Sequence, residues 1–190
     1  MKKLTLSVVA LLMLAITCRV QAQDDAMMKA WQAYMTPGDV HKMIAKDDGK
    51  WDGEVTMWMA PGAPPTKSKT SSTNSMIMGG RYQQSIHEGN MMGMPFEGMS
   101  LLGYDNSKKT FVSTWIDNMG TGIMNMEGTW DDATKTINFK GKCVDPMTGK
   151  DMDVREVFKF VDKDHQVMEM YCNTDGKEMK TMEIQFSRRK

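Results

Sequence analysis

Residues 151–160 read "DMDVREVFKF". Met152, Val154, Phe158 and Phe160 fall in one phase, and Asp153, Arg155 and Lys159 in the other. That two-residue period is the signature of a strand with one dry face and one wet face. The period recurs on both sides. In "TINFKGKC" (136–143), Ile137, Phe139 and Cys143 oppose Lys140 and Lys142. In "KTMEIQF" (180–186), Met182, Ile184 and Phe186 alternate with Thr181, Glu183 and Gln185. Half-wet strands of this kind belong to antiparallel sheets.

Working outward, turn chemistry punctuates the chain at short intervals. "MGGR" (78–81), "YDNSKK" (104–109), "WDDATK" (130–135), "DPMTGK" (145–150) and "NTDGK" (173–177) each carry Gly, Pro, Asn or Asp where tight turns need them. In "MGGR", Gly79 and Gly80 allow positive φ and Arg81 starts the returning strand. About ten short strands result between Trp51 and Ser187, with no helix among them. The expected fold is mainly β: a single antiparallel up-and-down barrel preceded by short N-terminal helices.

Two segments precede the barrel. "DDAMMKAWQAYM" (24–35) opens on acidic residues suited to a helix N-terminus and places Met27, Met28, Trp31 and Met35 near one stripe. "TPGDVHKMIAKDDG" (36–49) offers Thr36 as a cap, Pro37 after it and Gly49 as a stop. Residues 23–49 are therefore expected as a helical cap and residues 50–190 as the barrel domain.

Before these, residues 1–22 have the pattern of an export signal. Lys2 and Lys3 precede the apolar "LTLSVVALLMLAI" (4–16), and "VQA" (20–22) ends on a small residue. The apolar run is too short to span a bilayer, and no later stretch is longer. The chain is expected to be exported, periplasmic or secreted. A lipid anchor at Cys18 is the lesser alternative, because "AIT" before it lacks the usual leucine and small residue. Without residues 1–22, the chain loses Lys2, Lys3 and Arg19 and keeps 21 basic against 24 acidic residues. Such a balance excludes a nucleic-acid partner, which requires a basic face. The two remaining cysteines, Cys143 and Cys172, fall on strands separated by one other. That places them roughly 10 Å apart and predicts free thiols.

Methionine is the chain's compositional anomaly. The sequence holds 23, of which only Met1 and Met13 lie in the export segment, while beyond it the only leucines are Leu101 and Leu102. Methionine thus stands where a core would use leucine. The pairs Met57/Met59, Met76/Met78, Met124/Met126 and Met168/Met170 are each two apart and share a strand face. A thioether-lined interior suits an adaptable apolar cavity. A different chemistry is offered by "NMMGMPF" (90–96), where Pro95 and Gly93 argue against regular strand. Met91, Met92 and Met94, with His87 nearby, could hold a soft metal such as Cu(I); the competing reading is a greasy loop at the barrel mouth.

No catalytic set is visible. His41, His87 and His165 lack metal-ligand spacing, and no nucleophile elbow occurs. The chain is read as non-enzymatic, with no cofactor expected. Arg81 is a candidate contact for a ligand anion or for its own turn, and Tyr104 and Trp115 are candidates for stacking on a ligand or on each other.

"GKW" (49–51) opens the first strand and Arg188 follows the last, which resembles the calycin pattern of a Gly-x-Trp covered by a basic side chain. The segments "PGDVHKMIAKDDGKWDGEV" (37–55), "MGGRYQQS" (78–85), "PFEGMSLLGYDNSKKTFVSTWIDNMGTG" (95–122) and "DPMTGK" (145–150) resemble the domain-of-unknown-function family numbered 1579. The resemblance implies an exported bacterial protein with a calycin-like barrel and no assigned catalytic residues. Taken together, these readings point to a lipocalin-like binder of a small apolar or amphipathic molecule. Its expected lining is Trp51, Met57, Met59, Met76, Met78, Met124, Met126, Met168 and Met170, with Arg81, Tyr104 and Trp115 as polar or stacking contacts. The alternatives are the soft-metal binder and a non-catalytic structural or interaction module. The oligomeric state is not legible in the sequence.

Overall fold

The computed structural model describes residues 23–174 and 176–190. The signal peptide read at 1–22 and the anchor considered at Cys18 lie outside the described residues. Two compact units divide at Thr36/Pro37. In the first, residues 23–35 form a helix, α1, on which Met27, Met28, Trp31 and Met35 are all exposed.

The second unit opens with α2 (Asp39–Ala45) and continues as ten strands. These are β1 (Gly49–Met57), β2 (Thr66–Ile77), β3 (Tyr82–Met91), β4 (Met94–Asp105), β5 (Thr110–Asp117), β6 (Met124–Asp131), β7 (Thr136–Val144), β8 (Asp151–Phe160), β9 (His165–Thr174) and β10 (Lys177–Arg188). Each pairs antiparallel with the next, and β1 pairs with β10 to close the ring. The expected up-and-down barrel is what the chain forms. Closure removes both sheet edges, which would otherwise template aggregation.

Alternation sets the interior. Trp51, Gly53 and Val55 are buried on β1, Gln83 and Ser85 on β3, and Ile137 and Phe139 on β7. Glycines in this phase make room for large rings. A Cβ on Gly128 would sit 2.6 Å from the Phe139 ring, and one on Gly98 would sit 2.6 Å from Trp115. Gly141 is tighter, since a Cβ there would come within 2.4 Å of the Asn125 carbonyl oxygen. Backbone cannot yield as a side chain can. Gly141→Ala is therefore expected to cost about 2 kcal/mol of stability, whereas Gly120→Ala, which meets open space, stays near neutral. Thermal unfolding of the two variants provides the comparison.

One end of the barrel is plugged by α2. A helix leaves its last carbonyls without internal partners; barrel side chains reach one of these and three carbonyls of the segment that follows, 46–48. Gln83 Nε2 donates to the Ile44 carbonyl at 3.0 Å, and Arg188 Nη2 to that of Lys46 at 2.7 Å. Trp51 Nε1 donates to the Asp47 carbonyl at 2.9 Å, and Arg188 Nη1 to that of Asp48 at 2.7 Å. The Arg188 guanidinium also lies 4.2 Å over the Trp51 ring, which is only 1% exposed. Gly49, Trp51 and Arg188 thus close this end, and the loops following β1, β3, β5, β7 and β9 surround the other.

"NMMGMPF" is not the loop expected from its Pro and Gly. Strand pairing continues to Met91↔Met94, and Met92 (φ 53) with Gly93 (φ 83) makes a tight two-residue turn. Pro95 is tolerated because β5 pairs with β4 only from Gly98 onward, so Pro95 lies on a locally unpaired edge. The Asn118 side chain fills that edge, donating to the Pro95 carbonyl at 3.0 Å and accepting from Glu97 N–H at 3.0 Å.

Candidate functional site

Between the α2 plug and the open end lies a cavity of about 1000 Å³. Its two sides differ in chemistry. On β2–β5 the inward positions carry Ser68, Ser72, Ser85, Ser100 and Ser113, a wall of hydroxyls. On β6–β10 they carry Met124, Met126, Met168, Met170 and Met182, together with Ile137, Phe139, Phe158 and Ile184. An interior of this kind offers hydrogen bonds to one side of a guest and adaptable apolar contact to the other.

The candidates from sequence separate into three groups. Met57, Trp115, Met124, Met126, Met168 and Met170 line the cavity. Trp51, Met76 and Tyr104 face inward but pack in the core instead. Trp51 lies beneath Arg188, Met76 packs on the cluster around Ile44, and Tyr104 packs edge-on to Phe111 at 4.9 Å and His41 at 6.0 Å. Met59, Met78 and Arg81 are not interior at all. Met59 (62% exposed) and Met78 (70%) lie just beyond the ends of β1 and β2, where the two-residue alternation no longer applies. Arg81 is exposed, and its Nη1 donates to the Met78 carbonyl of its own turn at 3.1 Å. Tyr104 and Trp115 do not stack on each other: Tyr104 is near the plug, while Trp115 is toward the mouth.

Trp115 anchors an aromatic group on the mouth side. Its Nε1 donates to Asp117 Oδ2 at 2.7 Å, and its ring stacks on Phe96 and meets His87 edge-on at 5.2 Å. His87 also approaches Phe186 at 6.3 Å. This surrounding pushes its pKa down to about 4 by desolvation, so the imidazole is neutral. Of the other soft-metal candidates, Met91 lines the cavity, while Met92 (65% exposed) and Met94 (52%) lie at the tip of the turn. Met91 is four residues along the strand from His87, about 13 Å at strand rise. The His87 ring and the turn sulfurs are held apart by the strand. Cys143 and Cys172 are free thiols, as their strand separation predicted.

Asp47, Asp117, Asp151 and Glu156 line the cavity, and the sequence reading placed none of them there. Asp47 forms part of the floor and accepts from Gln166 Nε2 at 2.6 Å. Burial raises its pKa to about 7 against the opposing pull of Arg188 and Gln166. Glu156 lies on the apolar wall, between Phe139 and Met170 in register. Desolvation alone raises its pKa to about 7. Its side chain is half-buried and lines the cavity.

The model of the family described as "Protein of unknown function (DUF1579)" matches residues 36–188. The chain belongs to this family. The matched span covers the α2 plug and all ten strands. The DUF1579 barrel is similar to the crystal structure of Rv2717c from M. tuberculosis, with a TM-score of 0.61 and 12% identity over 82% of this chain and 100% of that one. It is also similar to the S-type phycobiliprotein lyase CPES from Guillardia theta, with a TM-score of 0.57 and 12% identity over 80% of this chain and 93% of that one. No curated protein matches the chain. Among the described residues no helix is long and apolar enough to cross a membrane.

Proposed function

We propose that this DUF1579 member binds a small amphipathic molecule inside the barrel, and that it does so outside the cytoplasm after export. The observation that carries the reading is the cavity itself. A barrel whose only task was stability would fill its interior with side chains, as small barrels do. Here about 1000 Å³ is left open at one end, a volume in the range of small-molecule sites. That a phycobiliprotein lyase shares the fold is compatible with small-molecule handling.

Native mass spectrometry of protein purified without detergent is expected to show a co-purified mass or a one-to-one adduct with N-phenyl-1-naphthylamine, an apolar fluorescent probe. Ser100→Trp places an indole on the hydroxyl wall and is expected to weaken probe binding by at least about tenfold while the barrel still folds. A folded wild-type chain that takes up neither probe nor native ligand would end this reading.

A further inference from the structure

The reading of the barrel as a binder leaves open what the ligand presents to its walls, and the register of the strands bears on this. Glu156 belongs to β8 and His87 to β3, five strands apart in a ring of ten. Pairing followed from Glu156 through Phe139, Gly128, Phe111 and Tyr104 arrives just before Tyr82, at the plug end of β3. Followed the other way, through Met170, Met182, Met57 and Thr66, it arrives just beyond Met91, at the mouth end. The two displacements are the stagger of tilted strands, and they cancel at His87. The carboxylate and the imidazole therefore stand at one level on opposite sides of the interior. Ten strands about 4.8 Å apart and tilted by about 40° close a ring roughly 20 Å across, so a guest fits between the two heads.

Among the described residues Glu156 has no cation to meet. Its neighbours along the wall are apolar, and desolvation is the sole influence on its titration. The lysines on the cavity wall, Lys69 and Lys142, lie toward the mouth at strand positions out of phase with the interior, and Lys142 is within 3.7 Å of Asp153. His87, directly across, is uncharged. A second acceptor is also unanswered. Asn74 Nδ2 donates to the Asp47 carbonyl, which fixes the amide's orientation and leaves its buried Oδ1 without a partner among the described residues. An orphaned buried acceptor is costly, and a carboxylate set between Phe139 and Met170 on an apolar wall is matched by a donor that carries positive charge.

We propose that the cavity selects amphipaths bearing a protonated amine, with Glu156 as counter-ion and the β6–β10 wall holding the hydrocarbon body. This rests on the binding reading and narrows it to a ligand class. Calorimetric titration of the full chain, freed of co-purified ligand, with decylamine, decanol and decanoate at one pH near 8 tests it. Decylammonium is expected to bind at least about tenfold tighter than decanol, and decanoate weakest. Glu156→Gln is expected to bring the amine down to the alcohol's affinity while decanol itself changes by no more than about twofold. Equal binding of amine and alcohol, preference for decanoate, or an amine preference that survives Glu156→Gln would overturn the proposal and leave the binding reading intact. Failure of all three chains to bind would overturn both.

Discussion

Glu156→Gln is expected to raise the stability of the unliganded barrel above pH 7 and to leave it unchanged near pH 4. Desolvation on the cavity wall raises the pKa of this half-buried carboxyl to about 7 in the folded chain, against an ordinary value of 4.5. Between those values the folded state holds a proton that the unfolded state has released. The contribution of Glu156 to wild-type stability therefore falls as pH rises from about 4.5 to 7, and stays lower above that. Glutamine has no such proton and keeps the shape of the neutral acid, so the gap between variant and wild type opens across this window. Its ceiling is about 3 kcal/mol, or roughly 6–12 °C in Tm for a chain of this size; cavity water sharing the charge lowers it. Asp47, also raised to about 7, slopes the same way in both proteins. His87 slopes oppositely. Lowered to about 4 from 6.5, it adds stability as pH rises through that range. Both contributions cancel in the difference between the two proteins. Paired melting curves from pH 4 to 8.5 measure it. A variant no more stable than wild type at pH 8 would mean that Glu156 is solvated or already paired.

The residue that carries this prediction stood in the stretch that decides the fold. In "DMDVREVFKF", position 156 shares its phase with 152, 154, 158 and 160, so an acid there faces the interior. The alternation was legible because apolar side chains dominate the dry phase. The one charge in that phase carried no weight in a pattern read for its majority. The hydroxyl wall was hidden for the opposite reason. In "TKSKTSSTNS" (66–75) both phases are polar, so nothing marks Ser68 and Ser72 as inward until strand pairing places them. Met124, Met126, Met168 and Met170 were legible because they lie well within strands. Met59 and Met78 were misplaced because periodicity does not announce where a strand stops. The floor was beyond reach: Asp47 and Gln166 are 119 residues apart in the chain, and only closure of the ring brings them together. The pairing of Trp51 with Arg188 was accessible only through the resemblance of "GKW" and a late arginine to the calycin pattern.

That pairing yields the second large effect. Arg188 is a single side chain doing the work of a C-terminal cap for α2. Its Nη1 and Nη2 bind the carbonyls of Asp48 and of Lys46, the residue that caps the helix, its Nε donates to the Lys163 carbonyl at 3.0 Å, and Asp164 lies 3.6 Å away. It thereby ties the plug to the β8–β9 turn across the end of the barrel, with its flat face on Trp51. Arg188→Ala removes three charge-assisted hydrogen bonds and a cation–π contact at once. Because the guanidinium is partly exposed, water recovers some of that, and the expected loss is on the order of 3 kcal/mol. Arg188→Lys is expected to restore less than half of it, since an ammonium is a point donor and cannot fork to two carbonyls while lying flat on an indole. The loss should be local before it is global. Amide exchange is expected to quicken over Asp39–Ala45 and the start of β1 more than over β5–β7. Loss of the cation beside Asp47 also removes an influence that lowers its pKa, so the alanine variant should go on losing stability as pH rises past about 7, where the wild-type contribution of Asp47 levels off. Uniform exchange along all ten strands, or a lysine variant as stable as wild type, would show that the guanidinium only covers the tryptophan and does not hold the plug.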